Sequence, residues 1–298
     1  MINPRLLEAA ERWKNPVPPE DKPSQKTTTQ NREQITKKYS FLEGELAREV
    51  HDWIQKTYPD FPNITKINYD SNDKIIKGSN PFYVTAVNDY FRKNNLEIRT
   101  ASQAELEQIL KSNSLELEKH YEDTSLVLRT EDEPNKYLAK NLAGQIKKRQ
   151  KIKLPLMIPL RGLTLKQDSN SPHKYSFQLT NEVEIIYSDK LAHENNGKKF
   201  DEADEYGLPV FNENGKRTFY TRNDGLSGLC LGGDLGLGAH YDLLAYSAAL
   251  GRVVLVSPEG AQNFEGYVSR LKQEKEKQIS EFDSRFNEAV KYLKTGKL

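Results

Sequence analysis

The stretch "LSGLCLGGDLGLGAHYDLLAYSAALGRVVLVS", Leu226 to Ser257, sits oddly in its chain. Charged residues make up 29% of the 298 residues, yet from Asn223 to Gly251 there is no Lys, Glu, Gln, Met or Trp. Leu226, Leu229, Leu231, Leu235 and Leu237 recur on a near-regular beat, and the residues between them follow no rule of size or polarity. The glycines of "LGGDLGLG" (Leu231 to Gly238) invite a phosphate-loop reading. Such a loop needs Lys and Ser/Thr after its last Gly, at the opening of a helix whose N-terminus faces the phosphate. Here "AHYD" follows, so nucleotide binding is set aside. The segment has an ordered skeleton with arbitrary filling.

Outward from this run, the bulk composition bounds the chain. Lys and Arg total 44 against 43 Asp and Glu, a net charge of +1 that gives no electrostatic case for nucleic acid. The mean hydropathy of -0.79 is polar, which predicts exposed helix or linker beside a core. The basic run "KKRQKIK" (Lys147 to Lys153) reads as the solvated end of a helix, where cations suit the dipole. No run approaches the roughly 18 apolar residues of a membrane span, and the N-terminal segment has no apolar leader core. The expectation is no membrane insertion and a cytoplasmic or virion-associated protein. A single cysteine, Cys230, excludes a disulfide within the chain and argues against a Cys-based zinc site. The five histidines show no ligand spacing, and no G-x-S-x-G elbow exists. No catalytic residue, metal or cofactor is expected.

The pattern divides the chain. Residues 1–38 read as a short helix (4–14) and a Pro-rich polar linker, and residues 39–74 as a helical extension. "SFLEGELAREVHDWIQKTY" (Ser40 to Tyr58) is predicted helical with Leu42, Leu46, Val50 and Ile54 on one face and His51 at the rim. A helix from Asn80 would have Asn80 as N-cap and Pro81 at its first position. The next would open on a capping box, Ser102 with Glu105. After about residue 124 short strands dominate: "TSLVLRT", "LPLMIPLRGLTL", "YSFQLT", "EVEIIY", a Thr/Phe/Tyr strand after an Asn-Gly turn, and "GRVVLVS". "NKYLAKNLAGQIKKR" between them is helical, and "EPN" (Glu133 to Asn135) reads as the acidic loop that enters it, not as a calcium and sugar motif. Residues 262–298 form a charged helix with an apolar stripe through Phe264, Val268, Leu271, Ile279, Phe282, Phe286, Val290 and Leu293. The fold class is α+β.

Two stretches resemble known proteins. "AVNDYFRKNNLEIRTASQAELEQIL" (Ala86 to Leu110) is similar to a segment of formylglycine-generating-enzyme-like proteins, through Ala86, Tyr90, Arg99, Thr100, Ala104, Glu105 and Glu107. Ala101 and Leu106 depart from the Pro and Trp of that pattern, and one cysteine cannot supply the cysteine pair those enzymes use. The resemblance therefore implies their fold, a variant C-type lectin fold over residues 75–261, without their chemistry.

The opening stretch, in turn, resembles the variable region of diversity-generating retroelement target proteins. In such systems a reverse transcriptase misreads template adenines, turning Asn codons into N-N-pyrimidine codons. These cannot encode Lys, Glu, Gln, Met or Trp, the residue types missing here. The resemblance implies a variable region at about 223–257, closed by the unvaried "GRVVLVS". It implies a leucine frame held in the core and outward, replaceable positions Gly228, Cys230, Gly232, Gly233, Gly236, Gly238, Ala239, His240, Tyr241, Leu243, Tyr246, Ala248, Ala249 and Leu250. His240, Tyr241 and Tyr246 would make the strongest contacts. Asp224, Asp234 and Asp242 would be fixed loop-formers bonding backbone amides. The implied partner is a macromolecule, most simply a protein. The terminal helix lies outside the resemblance; it either packs on the domain or contacts a helix of another chain, as an element of homo-oligomerisation or tethering. An enzyme of other chemistry on the same fold, or a structural assembly protein, remain as alternatives.

Overall fold

A computed structural model of the chain describes residues 37–60 and 66–258, with 273, 276–277, 279–287 and 290. The expected helix at 4–14, the linker and most of the terminal helix lie outside the described residues.

The fold is α+β. Four α-helices are described up to residue 258: α1 (Gly44–Thr57), α2 (Pro81–Lys93), α3 (Gln103–Ser112) and α4 (Lys136–Lys147), and residues 279–287 are helical as well. The first strands are β1 (Lys37–Phe41), β2 (Asn68–Asp70), β3 (Ile75–Lys77), β4 (Arg99–Thr100) and β5 (Tyr121–Leu128). They are followed by β6 (Leu156–Pro159), β7 (Leu163–Gln167), β8 (Tyr175–Leu179), β9 (Ile186–Tyr187), β10 (Lys199–Ala203) and β11 (Pro209–Phe211). The last are β12 (Arg217–Tyr220), β13 (Leu226–Leu231), β14 (Leu237–Tyr241), β15 (Gly251–Arg252) and β16 (Val254–Pro258). The long sheet runs β11-β10-β12-β14-β13-β5-β6-β9 and curls into a half-barrel, with β15 beside β5. A second sheet, β1-β16-β4, ties the first described strand to the last.

The helices form for the local reasons read from sequence. Asn80 Oδ1 accepts from Tyr83 N at 2.8 Å, and Pro81 fills the first position of α2. The box at α3 is closed, with Ser102 N bonded to Glu105 at 3.0 Å. Glu105 also grips Arg99 through two bonds of 2.5 and 2.6 Å. Along α2, Pro81 to Phe91 are buried without interruption, so its polar side chains find internal partners. Asn88 bonds Thr100 at 2.8 Å, and Asp89 accepts from Tyr58 at 2.9 Å. Phe82 stacks on Phe177 at 4.5 Å in the main cluster.

Two expectations are corrected. His51 is buried, not at a rim; its ring lies 3.1 Å from the Tyr83 hydroxyl and 2.9 Å from Gln55, and burial lowers its pKa. The helix expected from Ser40 begins at Gly44, because Tyr39, Ser40 and Phe41 pair with β16, and Tyr39 and Phe41 pack on the cluster of Leu106, Ile109 and Val254. Within residues 39–74, Leu46, Ala47, Val50 and Ile54 share one core with Phe82, Leu126 and Leu156.

Candidate binding surface

β13 is buried along its whole length because it is a central strand, between β5 and β14. Its leucines enter three different clusters: Leu226 with Leu128, Leu229 with Val127, and Leu231 with Leu106. Register shifts beside Cys230 on both partners redirect the strand between them. Leu237 is buried as well, and Leu235 is partly buried against the Leu106 cluster. The leucine frame thus sits in the core.

The turn joining β13 to β14 closes through Gly232 N to Gly236 O at 2.7 Å and Leu235 N to Gly232 O at 2.8 Å. Asp234 accepts from Gly236 N at 2.9 Å, the role expected of it. Asp242 instead forms an ion pair with Arg222 at 3.1 Å. Leu235 takes the left-handed φ of 63° in this turn, whereas none of Gly228, Gly232, Gly233, Gly236 and Gly238 has a positive φ. Their φ angles do not require glycine, but space does at some of them: a Cβ on Gly238 would run into the Tyr241 ring, and one on Gly232 would lie 2.9 Å from Asp234.

From Tyr241 the chain leaves the sheet in a loop to Leu250. Residues outside the segment pin its backbone. Asn135 Nδ2 donates to Leu226 O at 2.8 Å and Asp242 O at 2.7 Å. Asn80 Nδ2 reaches Ala245 O at 3.3 Å, and Ala248 N donates to the Tyr121 hydroxyl at 2.9 Å. Gly78 N meets Gly251 O at 3.0 Å, where a Cβ on Gly78 would lie 2.6 Å from Ser247 Oγ. Leu244 plugs the loop into the main core.

With its backbone held, the loop turns its large side chains outward. Tyr241 is 48% exposed, Leu243 69%, Tyr246 55% and Leu250 58%. Ala249 is exposed, and Gly232, Gly233, His240 and Ala248 are partly exposed. His240 lies 4.3 Å from the Tyr241 ring and edge-on to exposed Tyr220 at 5.7 Å, which extends the aromatic strip. Lys66 stands 5.9 Å over Tyr246.

The expectation that every filling position points outward is corrected for Gly228, Cys230, Gly236, Gly238 and Ala239, which are buried. The second face of β13 and β14 is covered by the loop's own return. Leu244 and Pro81 lie over Gly228, the Tyr241 ring lies against Gly238, and Tyr241 hydrogen-bonds Cys230. Ala239 sits in the Phe219 cluster, and its carbonyl takes bonds of 2.8 Å each from Ser227 and from buried Arg129. Burial pushes the Cys230 thiol well above its usual range, and burial likewise lowers the pKa of His240.

Among the described residues, no group of three or more His, Cys, Asp or Glu could hold a metal, and no helix is long and apolar enough to cross a membrane. Comparison with family models, with curated proteins and with solved structures finds no match to this chain.

Proposed function

We propose that this chain is a non-enzymatic binding protein on a variant C-type lectin scaffold. Its 223–257 segment presents a surface diversified by retroelement-guided, adenine-specific mutagenesis, and its ligand is a macromolecule, most simply a protein. One observation carries the reading. Among the described residues of 37–60 and 66–257 the exposed large apolar side chains are Tyr206, Val210, Tyr220, Tyr241, Leu243, Tyr246 and Leu250. The last four fall in a single ten-residue run, and all four are positions read as replaceable. A clustered aromatic and aliphatic patch on a backbone fixed from outside is how a rigid scaffold offers interchangeable contacts.

The buried, unactivated thiol of Cys230 counts against the enzymatic alternative, since a nucleophilic cysteine needs a lowered pKa and access. Self-association through the terminal helix is supported by Ile279, Phe282 and Phe286, exposed on helical residues 279–287. The deciding experiment reads the gene. The codons at the fourteen proposed positions should end in T or C, with a template repeat and a reverse transcriptase gene nearby. Several codons ending in A or G would remove the mechanism.

A further inference from the structure

A second site lies apart from the 223–257 segment and does not rest on its proposed role. A cleft of about 280 Å³ opens between the first turn of α3, strands β5 and β6, the residues leading into β9, and the turn between β10 and β11. None of its lining residues belongs to residues 223–257. Met157, Pro159 and Ile186 give it apolar walls, and Glu184 and Glu205 bring carboxylates to its edge.

The charges are not balanced. Glu105 also lines the cleft, but Arg99 grips it through two short bonds. Arg161 is the single lining cation, and it is shared between Glu184 at 3.4 Å and Glu105 at 3.8 Å, both longer than the roughly 2.7–2.9 Å of a charge-assisted bond. Glu205 is exposed and, among the described residues, has no hydrogen bond or ion pair. Ser125 supplies an independent sign of a missing partner. It lines the cleft, is 1% exposed, and its hydroxyl makes no hydrogen bond. A buried hydroxyl left unpaired is costly, so such groups take a water or a ligand.

We propose that this cleft binds a primary alkylammonium group. The alkyl stem lies along Met157, Pro159 and Ile186, the ammonium is drawn to Glu184 and Glu205, and the Ser125 hydroxyl accepts one of its three donors. An anion would meet the surplus carboxylates, and a neutral alcohol would gain nothing from them. A free amine and a lysine side chain share this chemistry.

The test is calorimetric titration of the full chain with butylammonium chloride and with Nα-acetyl-lysinamide, against 1-butanol and sodium butyrate at matched ionic strength. Both ammonium probes should bind saturably and both controls should not. The tighter of the two names the source: lysinamide for a protein lysine, butylammonium for a free amine. Combined Glu184→Gln and Glu205→Gln substitution should weaken binding about five- to tenfold. Ser125→Ala should weaken it about threefold, roughly a hydrogen bond's net worth. Tyr246→Ala on the other surface should leave it unchanged. The proposal is overturned if neither ammonium probe binds or if butanol binds as well. It also fails if the double substitution leaves affinity unaltered in a protein whose thermal melt matches the parent.

Discussion

Glu122, near the start of β5, is 2% exposed, and neither carboxylate oxygen has a hydrogen-bond partner. Burial, helped by the charge of Asp123 and opposed by Arg252, pushes its pKa up to about 8. Burial likewise raises Asp123 to about 6, against a hydrogen bond from Ser79 at 2.6 Å. In both residues the folded pKa lies above the unfolded one. Their contribution to stability is therefore full at low pH and is lost as pH rises through the folded value. Buried His51 and partly buried His120, His173 and His240 have values lowered chiefly by desolvation and act in the opposite direction at lower pH, so the window that isolates Glu122 is about pH 6.5 to 8.5. Stability should fall across that window, by an amount on the order of a few kcal/mol over the whole titration. Glu122→Gln should flatten the slope and be the more stable protein at pH 8.5. Urea unfolding at several pH values reads both, and a parent profile without slope contradicts the assignment. Arg129 offers a second case. It donates to Leu191 O, Ser227 Oγ, Thr221 Oγ1 and Ala239 O at 2.6–3.0 Å. Desolvation, with Arg222 adding to it, pushes its pKa down to about 9. Arg129→Ala removes four buried hydrogen bonds at once, leaving only the Ser227–Ala239 and Thr221–Leu191 bonds of 2.8 Å each, and should cost about 3 kcal/mol or more, again read by urea unfolding.

At the scale of the element, the segment from β13 through the loop separates into a floor and a display. Leu243→Asn and Leu250→Asn change exposed side chains on a backbone held by Asn80, Tyr121 and Asn135. Each should shift unfolding free energy by less than about 0.5 kcal/mol. Ala239→Asn places an amide in a fully buried cluster and should cost about 2 kcal/mol or more. Equal effects at 239 and 243 would contradict the division. Asn135→Ala should act differently from both: it frees Leu226 O and Asp242 O and loosens the loop. Faster amide exchange over residues 242–250, with the core unaffected, is the expected signature.

For the whole molecule, β16 follows directly on the display segment and lies between β1 and β4. Leu42 N extends the tie by donating to Val253 O at 2.8 Å. Tyr39 and Phe41 pack on the cluster of Leu106, Ile109 and Val254, so β1 contributes apolar burial as well as strand pairing. Removing residues 1–41 should lower the urea midpoint and expose a hydrophobic strand edge prone to association, although no residue of β1 belongs to the display. An unchanged midpoint would show that β1 is dispensable to the fold.

The caps of α2 and α3 were legible because their signals lie within four residues: Asn80 with Pro81, and Ser102 with Glu105. The leucine frame was legible for the same reason, since alternation along a strand is a local property. The absence of five residue types is a property of sequence alone, which the folded structure neither adds to nor removes. What tertiary structure decided is which filling positions face solvent. Alternation predicts two faces, but β13 lies between two strands and beneath the returning loop, so Gly228 and Cys230 are floor while Leu243 and Tyr246 are surface. The residues that fix the loop were equally invisible. Asn135 and Tyr121 reach it across more than a hundred positions of chain, and Asn135 stood in a motif that reads only as a helix entry. Sequence periodicity records what a residue does within its own element. Burial of the opposite face, and the partner of a distant carbonyl, depend on which elements the fold brings together.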